Sequence, residues 1–154
     1  MILYLYVMLG INILIPSILY LIMRKRRKLY TDRYGMIVTS AASLVFSLSI
    51  GTTLFFAFPA SFNILIVIST VSGSLIGLTY GTLIKFHSMM IGSFNGMIGA
   101  LAGTMLAAVV LDPSLCGLPS AFTTMLDRNM MLITLLVTLL SFITSILIRF
   151  SYRV

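Results

Sequence analysis

Five uncharged apolar stretches alternate with short polar segments along the chain, at residues 1–23, 36–58, 63–84, 89–111 and 130–148. Each is about 20 residues long, and a helix of that length crosses the roughly 30 Å of hydrocarbon in a bilayer. No Asp, Glu, Lys or Arg falls inside any of them. The pattern predicts an all-α, polytopic integral membrane protein: five transmembrane helices in a single domain spanning residues 1–154. Pro16, with Ser17 after it, predicts a kink in the first helix.

Composition agrees with that class. The chain is 60% hydrophobic and only 8% charged, whereas soluble domains carry roughly 25% charged residues. Basic residues nevertheless outnumber acidic ones by ten to three, and their placement carries topological information. Arg24, Lys25, Arg26, Arg27 and Lys28 follow directly behind the first apolar stretch. Alternating the spans puts these five inside together with Arg33, Lys85, Arg149 and Arg153, and leaves Arg128 as the single basic residue outside. Cytoplasmic loops carry the excess of Lys and Arg, so the expected topology has the N-terminus outside and the C-terminus in the cytoplasm. The same basic run suits anionic lipid headgroups. Clustered at span ends rather than over a folded face, it does not predict a nucleic-acid partner. The first span has no basic residues ahead of it and no small-residue cleavage site behind it, and so reads as retained.

Seven glycines fall in two neighbouring spans: Gly73, Gly77 and Gly81 in the third, and Gly92, Gly96, Gly99 and Gly103 in the fourth. At about 100° per residue the latter four share one narrow stripe. In lipid the hydrophobic effect does not draw helices together, so small residues matter by letting backbones approach. A tight antiparallel hairpin of helices three and four, a glycine zipper, is expected at the centre of the fold.

Candidate chemistry is sparse. His87 is the only histidine. It stands at the start of the fourth span, with Met90 and Met97 seven residues apart on one face beyond it. Imidazole and thioether are ligands for a soft ion such as copper. Asn95 lies deep in the same span and needs hydrogen-bond partners there; Ser69, Thr70, Ser72, Thr79 and Tyr80 of the third span are the expected ones. The lone Cys116 excludes a disulfide within the chain. It lies in the 112–129 loop, where Ser120 is placed to cap a short helix. With no ionisable group at mid-span, proton-coupled transport and intramembrane hydrolysis are not expected, and no catalytic residue is assigned.

The stretch SFNGMIGALAGTMLAAV, with GSLIGLTYG upstream, resembles segments of small Gly- and Met-rich multi-span membrane proteins of Gram-positive bacteria. That resemblance implies a bacterial plasma membrane and no particular activity. Two readings of function follow from the residues. The first is a non-enzymatic membrane component, without cofactor, that acts by helix–helix association with itself or as an accessory subunit of a larger complex. The alternative is a small channel or carrier for a soft metal ion such as copper, or for another small solute, lined by Asn95, Met90 and Met97 with His87 at its mouth.

Overall fold

The computed structural model describes residues 2–25, 32–58, 61–84, 86–113, 117 and 126–151. They form five helices: α1 (Ile2–Lys25), α2 (Asp32–Ala57), α3 (Phe62–Gly81), α4 (Phe86–Leu111) and α5 (Leu126–Ser151). All five are long and apolar enough to cross a membrane. The chain is therefore all-α, with the architecture of a multi-pass membrane protein.

Helix ends depart from the apolar stretches in both directions. Helices α2 and α5 begin four residues ahead of theirs, because backbone hydrogen bonding continues through polar residues where hydropathy has already fallen. Helix α3 stops early, at Gly81 rather than residue 84. There the amides of Leu83 and Ile84 bond the carbonyls of Tyr80 and Gly81 three residues back, at 3.4 and 3.2 Å, which tightens the chain into a turn. Pro16 does not interrupt α1. It removes a single intrahelical bond, the one to the carbonyl of Asn12.

The centre of the bundle is α2, not the α3–α4 pair. Helix α2 packs against each of the other four. More of α2 is buried than of any other helix, with α4 next. Side-chain size explains the difference from expectation. The inner surface of α2 is built on small hydroxylic residues (Thr39, Ser43, Ser47, Ser49, Thr52 and Thr53, all buried), which allow close neighbours on several sides.

Successive helices alternate in direction. Tyr80 stacks on Phe46 and Phe62 meets Phe55 edge-on, so α3 runs against α2. Tyr4 pairs with Met131 and Asn12 with Thr138, so α5 runs with α1. Arg24, Lys25, Arg33 and Arg149 consequently share one end of the bundle, and Asp112, Asp127 and Arg128 the other. Two apolar clusters fill the interior. One joins Leu19, Met23, Val38, Phe46, Tyr80 and Ile148 near the basic end. The second joins Leu5, Phe55, Phe56, Leu65, Ala107 and Met130 near the opposite end.

Polar pins set the register of α1. The fully buried Asn12 amide donates to Thr138 Oγ1 at 3.1 Å, and its carbonyl oxygen accepts from Ser141 Oγ at 3.2 Å. Tyr80 donates to the carbonyl oxygen of Pro16 at 2.6 Å, tying α3 to α1. Replacing Asn12 by Ala removes both bonds to α5. Thr138 keeps its bond to the Thr134 carbonyl, and the Ser141 proton, which Asn12 and the Thr138 carbonyl compete for, passes wholly to that carbonyl, so the loss is moderate, about 0.5–2 kcal/mol. Unfolding titrations in mixed micelles measure it, and an Asn12–Thr138 double-mutant cycle should return a coupling near 0.6 kcal/mol.

Candidate helix-packing interface

Helix α4 is the joint between two neighbours. Its buried residues are all small: Ser88, Gly92, Gly96, Gly99, Ala100, Gly103, Thr104, Ala107 and Ala108. Against α3, Gly92 faces Gly77, Gly96 faces Gly73, and the Met89 backbone faces Gly81. One number falls as the other rises, so the pair is antiparallel. A β-carbon at Gly92 would lie 2.5 Å from the Gly77 carbonyl oxygen; one at Gly77 or Gly96 would overlap the opposing glycine's carbonyl outright. These helices touch backbone to backbone, in the manner that favours weak Cα–H···O contacts.

The other half of the glycine stripe meets α2 rather than α3. A β-carbon at Gly99 would overlap the Leu44 carbonyl and Ser47 Oγ, and one at Gly103 would overlap the Leu48 carbonyl. Gly51 of α2 closes the junction of all three helices. Its added β-carbon would come 2.9 Å from both the Ala100 carbonyl and Ser69 Oγ. Sequence reasoning missed Gly51, although it is the only glycine in the interior of its span. It also missed the α2 hydroxyls, whose density between Thr39 and Thr53 was the available signal.

Most of these hydroxyls need no partner on another helix. Thr39 bonds the Gly35 carbonyl at 2.8 Å, Ser47 the Ser43 carbonyl at 2.6 Å and Thr53 the Ser49 carbonyl at 2.8 Å, each one turn back. Crossing bonds are few. Ser88 donates to Thr39 Oγ1 at 3.0 Å, joining α4 to α2, and Ser69 donates to the Ala100 carbonyl at 3.4 Å, joining α3 to α4.

The predicted metal-ligating residues share one outward arc of α4, and Asn95 lies apart from them. His87 is exposed at the start of α4. Met90 and Met97 are 61% and 37% exposed, on an outward arc with Phe94 and Leu101. They face away from the glycine contacts. Asn95 is partly buried at the edge of the α4 contact face. The partners expected for it bond elsewhere: Thr70 to the Ile66 carbonyl, Ser72 to the Ser69 carbonyl, Thr79 to the Ile76 carbonyl, Tyr80 to Pro16 and Ser69 to Ala100. The cause is helical phase. Gly96 and Ala100 turn toward α3, and Asn95 projects from the other flank of the stripe. No hydrogen bond reaches its side chain among the described residues. Arg26, Arg27, Lys28, Lys85, Cys116, Ser120 and Arg153 lie outside the described residues. Comparison with known protein families, with characterised proteins and with solved structures finds no match.

The glycine contacts predict a sharp positional contrast. Gly77→Ala forces the α3 and α4 backbones apart and should cost about 1–3 kcal/mol in micellar unfolding. Gly10 of α1 has nothing within 4 Å of an added β-carbon. Gly10→Ala should be neutral or slightly stabilising, because alanine is the better helix former.

Proposed function

We propose that the protein is a non-enzymatic plasma-membrane component, bacterial in setting, that acts through helix–helix association, as a homo-oligomer or as an accessory subunit of a larger membrane complex. The observation that carries this reading is the contrast between two amides. Asn12 is buried and bonded to α5, whereas Asn95 stands on the outer flank of α4 without a bond from the described residues. Hydrocarbon cannot satisfy an amide, so Asn95 favours a neighbouring helix over lipid. The glycine contacts hold the surface that presents it. Backbones packed this closely make the bundle a firm platform, not an adaptable one.

In the bilayer we place the basic end in the cytoplasm. Arg24, Lys25, Arg33 and Arg149 then lie on the side favoured by the positive-inside rule and beside anionic headgroups. The N-terminus and the 112–129 loop lie outside.

Two measurements test these statements. Mass photometry of the purified chain in lipid nanodiscs, with crosslinking in native membranes, should find species heavier than the 16.9 kDa protomer; monomers alone in both would sink the association reading. A membrane-impermeant maleimide should label Cys116 on intact cells. It should label Arg27→Cys, in a Cys116→Ser background, only after the membrane is opened. The reverse pattern inverts the topology.

A further inference from the structure

The outer flank of α4 carries a regular row. Ile91, Asn95, Ile98, Ala102, Met105 and Val109 follow one another at spacings of four, three, four, three and four residues. Ile91, Ile98 and Met105 are 38%, 45% and 51% exposed, Ala102 is exposed, and Asn95 and Val109 are partly so. A row repeating every 3.5 residues stays against a partner helix for several turns. It is separate from the glycine stripe, which α2 and α3 already cover.

From this row and the amide within it that no described residue bonds, we infer that α4 is the interface with a second copy of this chain, the two α4 helices lying parallel with Asn95 opposite Asn95. The inference rests on the association reading above and specifies its partner and surface.

Symmetry selects the second copy. Two identical chains inserted the same way are related by a twofold axis along the membrane normal, so any helix on that axis meets its counterpart in parallel and at equal depth. Each residue of the row then faces itself. A charged side chain would repel its own copy there, but a carboxamide carries two donors and an acceptor and pairs with its own copy. In the heptad that the spacing defines, Asn95 takes an a position, where a single asparagine sets register in parallel pairs. Ala102 takes the next a position and is small enough for the backbones to approach. Asn95 lies within about 5 Å of the α4 midpoint along the helix axis, at the depth where neither water nor headgroups compete for the amide. Elsewhere in the described residues, Asn12 is bonded inside, and Asn63 and Asn129 lie in the first turns of α3 and α5.

Single cysteines in the full-length Cys116→Ser chain test the pairing, under mild copper–phenanthroline oxidation in native membranes. Ile98→Cys and Ala102→Cys should form disulfide-linked dimers, since facing positions in a close parallel pair come within disulfide reach. Val71→Cys, 55% exposed on α3, should not. In liposomes carrying labelled full-length protein, energy transfer should show Asn95→Leu weakening self-association about 3- to 30-fold, with Asn95→Gln close to the parent. Leucine is at home in lipid, so this variant leaves the monomer's fold intact. Dimers linking at Val71→Cys but not at the row, or an Asn95→Leu variant that associates as well as the parent, would overturn the α4 interface while leaving association standing. Row cysteines that link only to a different protein would overturn the second copy and favour the accessory-subunit form. Monomers throughout would remove both the interface and the association reading.

Discussion

Contact between helix backbones is the interaction on which this bundle depends. Inside a bilayer, apolar side chains gain no hydrophobic free energy by leaving lipid for protein, so helices cohere through dense van der Waals contact and the few hydrogen bonds they exchange. Helix α4 takes this to its limit by burying only Gly, Ala, Ser and Thr. Two neighbours fit against one narrow stripe, α3 along Gly92 and Gly96, and α2 along Gly99 and Gly103. No other large side chain needs to interdigitate there. The same feature makes the joint intolerant: the opposing atoms are carbonyls of the main chain, which cannot rotate aside.

Hydroxyl side chains solve a related problem for α2. A central helix in lipid needs an inner surface small enough for four neighbours. Serine and threonine supply that surface, and by returning their hydroxyls to carbonyls one turn back they bring few unsatisfied donors with them. Shape can then govern the packing. Orientation falls to a handful of directional bonds (Asn12 to α5, Tyr80 to α1, Ser88 to α2) at widely separated points. Tyr80 does more than hydrogen-bond: its ring stacks on Phe46 at 5.7 Å and meets Tyr20 edge-on at 6.1 Å.

The outer surface differs sharply from this interior. Leucine, isoleucine, valine and phenylalanine dominate it on α1, α3 and α5, as lipid contact requires. Helix α4 departs from that rule at Asn95, and it is the helix with the most closely engaged inner face. In the pairing proposed for α4, rigid support of that surface would let a partner's amide be met at a defined depth and angle. The thioethers of Met90 and Met97 lie on a neighbouring outward arc.

Span number and the alternation of basic and acidic ends were legible in the residues, because both follow from local quantities: the length of an uncharged run and the charge beside it. The stripe of α4 was legible for the same reason, since four glycines in helical phase define a face wherever the helix lies. What that face touches was not. Gly99 and Gly103 pack on α2, Gly51 completes the junction, and Asn12 is the buried amide while Asn95 stands on the outer flank. Each of these depends on the rotation of one helix about its axis relative to another. In lipid no solvent contrast marks an inner face, and periodicity within one helix carries no information about its neighbour's phase. That choice was made by tertiary packing, through the close fit of small residues on α2, α3 and α4 and the reach of a few hydrogen bonds.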